Sequence, residues 1–314
     1  MTDTGISEEY TTEHTAVVDQ DSRKKAQNSD QKRTQNRRKY GPRTTNRDHL
    51  LKRSLYTALA LPTEQIAKMY FPSAAYKKDP GTEELHYSEY SAKKRLYKLL
   101  GKGVLLKDHY TPLGEDRQRT YWFLTQNQYR RQAYAAGRPG ESYPPLPERL
   151  THHFKTTEIY ARIQPSFEEL FAQLDGYVYP EWRWENESHA TTEYFFGGEN
   201  KKHQPDARVH MPDGKMFIIE RQTKESREAK SVVKDKVTRA DSYRSYRGYS
   251  KEDAKLLFAC DTERDKEYVR EALQESSAMK GVLGDTDTIV KYLLTRAREI
   301  VEQAQAAGEA EEAV

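Results

Sequence analysis

Asp206, Glu220 and Gln222 lie in the segment from Pro205 to Gln222, where two strand-like runs flank Pro212-Asp213-Gly214. A three-residue loop with glycine last is a common hairpin connection. Pairing Met211 with Lys215 across that loop sets Asp206 opposite Glu220, on one face, with Cβ atoms roughly 5 Å apart. Gln222, two residues further on, shares the face. Like charges directly opposed destabilise a sheet. A divalent cation held between them removes that cost and suits oxygen donors. The chemistry would be metal-assisted attack of water on a phosphodiester, with Mg²⁺ or Mn²⁺ held by Asp206 and Glu220. Glu158 and Glu185 are candidate further metal ligands. Lys236, with Lys234 and Arg239 nearby, is the candidate phosphate partner, and Tyr243 follows it on the same helix face.

The elements that must position these residues can be read from periodicity. Residues 150–175 carry apolar positions at helical spacing, with a break at Pro165. A strand around 179–184, with Trp182 and Trp184 packing a core, precedes the hairpin; Gly197-Gly198 marks a turn between them. A basic helix is expected over 226–246, a buried strand over 255–259, and helices over about 263–276 and 286–306, before an acidic, frayed tail from 307. This is an α/β layered pattern.

Upstream, residues 47–60 place Leu50, Leu51, Leu55 and Leu59 on a helix, Thr63 caps a second helix to Tyr70, and Ser88 caps a third that Gly101 ends. Short strands at 104–106 and 120–124 close a hairpin. Three helices and a hairpin make a winged helix-turn-helix arrangement. Lys93, Lys94, Arg95 and Lys98 stud the third helix, which would enter a major groove, while Arg117 and Arg119 sit at the wing tip within reach of phosphates. The expected divisions are a tail over 1–45, a DNA-binding domain over 46–130, a Pro- and Gly-rich linker over 131–149, the α/β domain over 150–306 and a tail over 307–314.

The net charge of +3 conceals segregation. The first 21 residues hold acids and no Lys or Arg. The stretch to residue 43 holds Arg23-Lys24-Lys25, Lys32-Arg33 and Arg37-Arg38-Lys39 against one acid, Asp30. A disordered basic arm of this kind neutralises phosphates. Only 35% of residues are hydrophobic, and no apolar run is long enough for a membrane span. The lone Cys260 excludes an internal disulfide and ends an apolar run, which fits a buried inert thiol in a reducing, cytoplasmic setting. The histidines, including His152 and His153, lack ligand spacing for zinc, and no phosphate-binding loop for a nucleotide cofactor is present.

Several of these segments carry a resemblance. Pro205-Asp206 followed by Glu220 is similar to the Pro-Asp … Glu-x-Lys signature of the PD-(D/E)XK nuclease superfamily, in a similar helix–meander–helix order. Thr63 to Phe71, Lys94-Arg95-Leu96 and Tyr121 to Thr125 resemble the N-terminal part of the replication-relaxation family. His153 to Tyr160, Trp184-Glu185, Pro205-Asp206 and Phe217 to Glu220, with Lys236 and Tyr243, resemble its C-terminal part. That family occurs on plasmids and other mobile elements and is linked to their replication and DNA relaxation. The resemblance implies double-stranded DNA as a partner, with other replication or mobilisation proteins. Gln222 departs from it, standing where the signature has the Lys that positions water and offsets transition-state charge. Some relatives use Gln, and others move the Lys to the next helix, here Lys236 or Lys234. Two functions stay open: a Mg²⁺- or Mn²⁺-dependent DNA endonuclease, or a non-enzymatic transcriptional regulator or replication accessory factor that uses the second domain as a scaffold.

Overall fold

The computed structural model describes residues 45–72, 87–112, 114–174, 181–222, 230–275 and 281–312. Arg37, Arg38 and Lys39 lie outside the described residues, as do the first residues expected in the basic helix. The first helix, α1 (Asn46–Ala58), starts from a capping box in which the Thr45 hydroxyl accepts from the Asp48 N–H and the Asp48 carboxylate accepts from the Thr45 N–H. Leu59, with φ of 71°, turns the chain into an unexpected strand, β1 (Ala60–Pro62). Then come α2 (Thr63–Tyr70), α3 (Glu89–Leu100), β2 (Leu105–Tyr110) and β3 (Arg119–Leu124), with β3 central in the antiparallel order β1-β3-β2. Ser88 caps α3 as expected. Thr63 does not cap α2. It is the first helical residue, and its hydroxyl donates to the Thr120 carbonyl at 3.2 Å and accepts from Trp122 Nε1 at 2.9 Å.

Helix α4 (Gln126–Ala135) occupies the start of the expected linker. The stretch after it is packed: Tyr143 donates to the Leu124 carbonyl at 2.9 Å, and Leu146 is buried with Tyr110 and Phe154. The two halves also share a core, in which Leu51, Leu55 and Ile66 join Ile159, Phe167 and Ile219. Helix α5 (Leu150–Phe171) runs through Pro165 without the expected break. Proline removes one helical hydrogen bond, while buried Ile163 and Phe167 hold the segment on either side.

The C-terminal half continues with β4 (Arg183–Asn186), α6 (Glu187–Ala190), β5 (Thr192–Phe196), β6 (Glu199–His203), β7 (Ala207–His210), β8 (Met216–Gln222), α7 (Lys230–Tyr246), β9 (Ala254–Cys260), α8 (Glu263–Glu275), β10 (Gly281–Gly284) and α9 (Thr286–Glu312). A mixed five-stranded sheet runs β10-β9-β8-β7-β4, with β4, β7 and β8 antiparallel and β8, β9 and β10 parallel. The architecture is mixed α/β. Alternation along β8 sends Phe217 and Ile219 into the core with α5 and α9, and Met216 and Ile218 into a second core with Val233, Val237 and Ala240 of α7. Trp184 is buried, and Trp182 packs edge-on to Phe167, as expected of core residues. Cys260 is buried and its thiol is pushed up to about 12 by burial, so it is inert. Helix α9 continues to Glu312 instead of fraying from 307. Among the described residues, no helix is long and apolar enough to cross a membrane.

Candidate functional site

Strands β7 and β8 pair Ala207 with Ile219 and His210 with Met216. One further step sets Asp206 opposite Glu220, the register read from the sequence. Its turn closes through Met211 N–H to the Lys215 carbonyl at 2.8 Å and Gly214 N–H to the Met211 carbonyl at 3.0 Å. Gly214 has a φ of 81°, which glycine adopts without cost. The carboxylates therefore sit near the carboxyl end of β8, beside the carboxyl end of parallel β9, a usual place for ligand sites in sheets with parallel strands.

Each carboxylate has a cationic or N–H partner. Asp206 accepts from the Arg221 N–H at 2.6 Å and from His152 Nε2 at 2.8 Å. Burial pushes its pKa up, but His152, Lys236 and the Arg221 N–H more than offset that and hold it below the usual carboxylate range. Glu220, buried on β8, lies 3.0 Å from Lys236 Nζ on α7. Lys236 thus reaches the carboxylates, as helical spacing led us to expect. The group opens on a cleft of about 710 Å³, whose lining includes Asp206, Glu220, Lys236, Arg239, His152 and His203. Gln222 is buried at the end of β8 and is not among the lining residues; its carbonyl accepts from the Asp261 N–H at 3.1 Å.

The other two acids considered for a metal are placed elsewhere. Glu158 faces the N-terminal half, where it accepts from Lys68 Nζ at 2.7 Å. Glu185 lies within β4 and is enclosed by Arg183, His210 and Arg208 at 3.0, 3.2 and 3.3 Å. Burial alone would raise its pKa, yet the His210 hydrogen bond and the Arg208 and Arg183 charges hold it down to about 2. Tyr243 is buried, its hydroxyl accepting from Arg208 and its ring stacked on His203 at 4.6 Å, so it is not placed to attack a phosphate.

Among the described residues, no group of three or more His, Cys, Asp or Glu side chains is arranged to hold a metal ion. The oxygen donors that reach the cleft from opposed strand positions are Asp206 and Glu220, a hard pair that suits Mg²⁺ or Mn²⁺ and not a soft metal.

Sequence reasoning missed His152 and the cluster behind the site. Arg221, on the opposite face from Glu220, donates to Asp261 at 2.6 Å, to Thr286 Oγ1 at 2.7 Å and to the Lys155 carbonyl at 3.2 Å. Lys155 Nζ also donates to Asp261, at 2.6 Å. The one available signal was that Arg221 stands between two site residues on a strand. Its side chain must therefore face the other layer, and a cation there requires an acid. His153, adjacent to His152, is buried and held down to about 4 by that burial, which keeps it neutral and structural.

On the N-terminal half, Lys94, Lys98 and Arg117 are exposed. Lys93 is exposed and pairs with Glu89 at 3.0 Å. Arg95 instead donates through two nitrogens to buried Asp48, and Arg119 makes a bidentate pair with Glu115. Both are committed to carboxylates of their own domain. Comparison with protein-family models, curated proteins and solved structures finds no match to this chain.

Proposed function

We propose that the protein is a DNA-binding protein of a plasmid or other mobile element that acts in replication or relaxation of its DNA. In this reading the N-terminal half is a winged helix-turn-helix that seats duplex DNA, and the C-terminal half is a PD-(D/E)XK-like domain that receives a phosphodiester in its cleft. The supporting observation is the opposed pair Asp206 and Glu220 with Lys236 at 3.0 Å from Glu220. Lys94, Lys98 and Arg117 take phosphates. Asp206 and Glu220 would hold one Mg²⁺ or Mn²⁺, which when bound would supply Lewis acidity and an activated water. Lys236 supplies the positive charge that Gln222 lacks, from the following helix, and offsets charge on the phosphate. His152 orients the Asp206 carboxylate and favours its anionic form.

A second reading is favoured by the same ion pairs. A cleft in which Lys236 already faces Glu220 and His152 is already bonded to Asp206 gives both acids protein partners, and a scaffold that only grips DNA would look the same. Nicking of supercoiled plasmid in Mg²⁺ or Mn²⁺ decides between them. Nicking by the wild type that is lost in Asp206→Asn and Glu220→Gln supports the nuclease. Nicking that survives both substitutions sinks the catalytic assignment. DNA binding without nicking, and without calorimetric heat from Mn²⁺, supports the accessory factor.

A further inference from the structure

A cavity of about 540 Å³ lies between the two halves of the molecule. Helices α1, α2 and α4 line it from the N-terminal half, and α5 and β4 from the C-terminal half. Among the described residues it shares no lining residue with the carboxylate cleft. Its volume is usual for a small-molecule site. Two of its lining residues carry a buried polar atom without a hydrogen-bond partner: Trp184 Nε1, a donor, and Gln164 Oε1, an acceptor. The two side chains belong to residues only 3% and 4% exposed. Buried polar atoms are bonded in the great majority of cases, and an unpaired one costs stability. The hydroxyls on the same wall are satisfied among themselves, Ser54 Oγ bonding both the Tyr70 hydroxyl and, at 2.8 Å, the Tyr160 hydroxyl. The open donor and acceptor therefore stand out, and together they complement a ligand edge that offers one acceptor and one donor.

Rings and cations surround that open pair. Tyr160 lies 5.4 Å from the Trp184 ring and 6.3 Å from the Trp182 ring, and Trp182 is only half-buried. Arg53, Arg138 and Arg183 line the same cavity. Arg183 and Arg138 lie 3.0 and 3.8 Å from Glu185, which Arg208 already approaches at 3.3 Å, so positive charge is in surplus there. The acids among the lining residues are Glu168 and Glu181. Glu181 accepts from Arg53 at 2.9 Å, an exposed pair weak enough for another anion to exchange. Guanidinium groups bind phosphate through paired N–H donors, so a phosphate-binding loop is not required.

We infer that this cavity binds a nucleoside monophosphate. The base edge bonds to Trp184 Nε1 and Gln164 Oε1, the base lies against the Trp182 ring, and the phosphate meets Arg53 and Arg183. The ligand touches both halves and so stabilises the arrangement they share. A free nucleotide and the 5′-terminal nucleotide of a DNA strand present the same chemistry.

Two of the three tryptophans line the cavity, so tryptophan fluorescence and thermal melting of the full-length chain both report binding. The titrants are the four deoxynucleoside monophosphates, inorganic phosphate, an unphosphorylated nucleoside and a 5′-phosphorylated single strand. At least one monophosphate should bind saturably, raise the melting temperature and outdo both phosphate and the nucleoside. Displacement of the monophosphate by the strand identifies a strand end as the source, and failure to displace it identifies the free nucleotide; either upholds the site. Arg53→Ala, an exposed change, should weaken binding by about tenfold to about 150-fold and leave melting of the free protein unchanged. Gln164→Met keeps the volume and removes the unpaired acceptor. The free protein should melt at the same temperature or higher, while affinity falls by about twofold to about tenfold. A Gln164 with a merely structural role would instead lower the melting temperature. Binding of no monophosphate, binding no tighter than that of phosphate, or affinity that survives both substitutions overturns the inference. Nucleotide binding by a protein that binds no DNA sinks the proposed function and leaves this site standing.

Discussion

Two acid–base pairs share one face of the five-stranded sheet. Glu185 faces Arg208 across β4 and β7, and Glu220 faces Lys236 from β8 to α7. All four charges lie on the same side of the sheet, yet their surroundings differ. Glu185 contacts Arg138, Arg183 and Arg208 and the His210 ring, and Arg208 also donates to the Tyr243 hydroxyl and the Ala190 carbonyl while lying over the Tyr243 ring at 4.4 Å. That pair is closed. Glu220 and Lys236 open on the cleft, and the lysine comes from a separate element, so a ligand can share or displace it. An acid near a site belongs to the site only if its counter-charge can be exchanged for substrate.

The strongest way to break the comparison is to remove one member of the closed pair. Glu185→Ala leaves Arg208 buried and short of its carboxylate, and should cost about 3–5 kcal/mol in urea unfolding. An unfolding free energy within about 1 kcal/mol of wild type would mean that the pair is not closed at all. In the open pair the balance should reverse. Glu220→Gln keeps the shape of the side chain, so stability should fall less than in Glu185→Ala, while metal-dependent nicking should drop by about 100-fold or more. Retained nicking with a large loss of stability would exchange the two roles.

A pH titration sharpens the contrast. The folded pKa of Glu185, about 2, lies below its ordinary value of 4.5, so the stability it confers is complete above about 4.5 and is lost as pH falls toward about 2. Asp206 is depressed in the same direction and adds to the loss. Urea midpoints across this acid range should therefore fall less steeply in Glu185→Gln than in wild type. Parallel curves would show that Glu185 carries no such linkage.

The open pair was legible in the sequence and the closed one was not, for a physical reason. Asp206 and Glu220 are related by one short turn and strict alternation, so local rules suffice for them, while Lys236 is one of two candidate lysines, with Lys234, on the next helix. Glu185 looked like a free acid because Arg208 and His210 reach it from another strand, across an unforeseen hairpin and the short helix α6. His152 lies 54 residues before Asp206 and arrives only because the start of α5 packs beside the end of β7. The β5–β6 ribbon was read as a turn alone, since an exposed two-stranded ribbon lacks the apolar alternation of a core strand. Thr63 failed as a cap for the opposite reason: Trp122 and Thr120, distant in sequence, compete for its hydroxyl.

The same distinction between committed and available charge applies within α3, where Arg95 and Lys94 are neighbours in sequence. The Arg95 guanidinium is held by Asp48, whose pKa burial would raise but Arg95 and the Thr45 N–H pull down. Arg95→Ala should cost about 1–2 kcal/mol by leaving a buried carboxylate under-bonded, with little change in the salt dependence of DNA binding. Lys94 is exposed, so Lys94→Ala should change stability by less than about 0.5 kcal/mol and reduce the slope of log K against log salt on duplex DNA by about 0.9. Urea unfolding and a salt series on both variants separate the two. If Arg95→Ala lowered the slope as Lys94→Ala does and left stability untouched, the Asp48 pairing would be exchangeable, and proximity of a carboxylate would no longer identify a charge as structural.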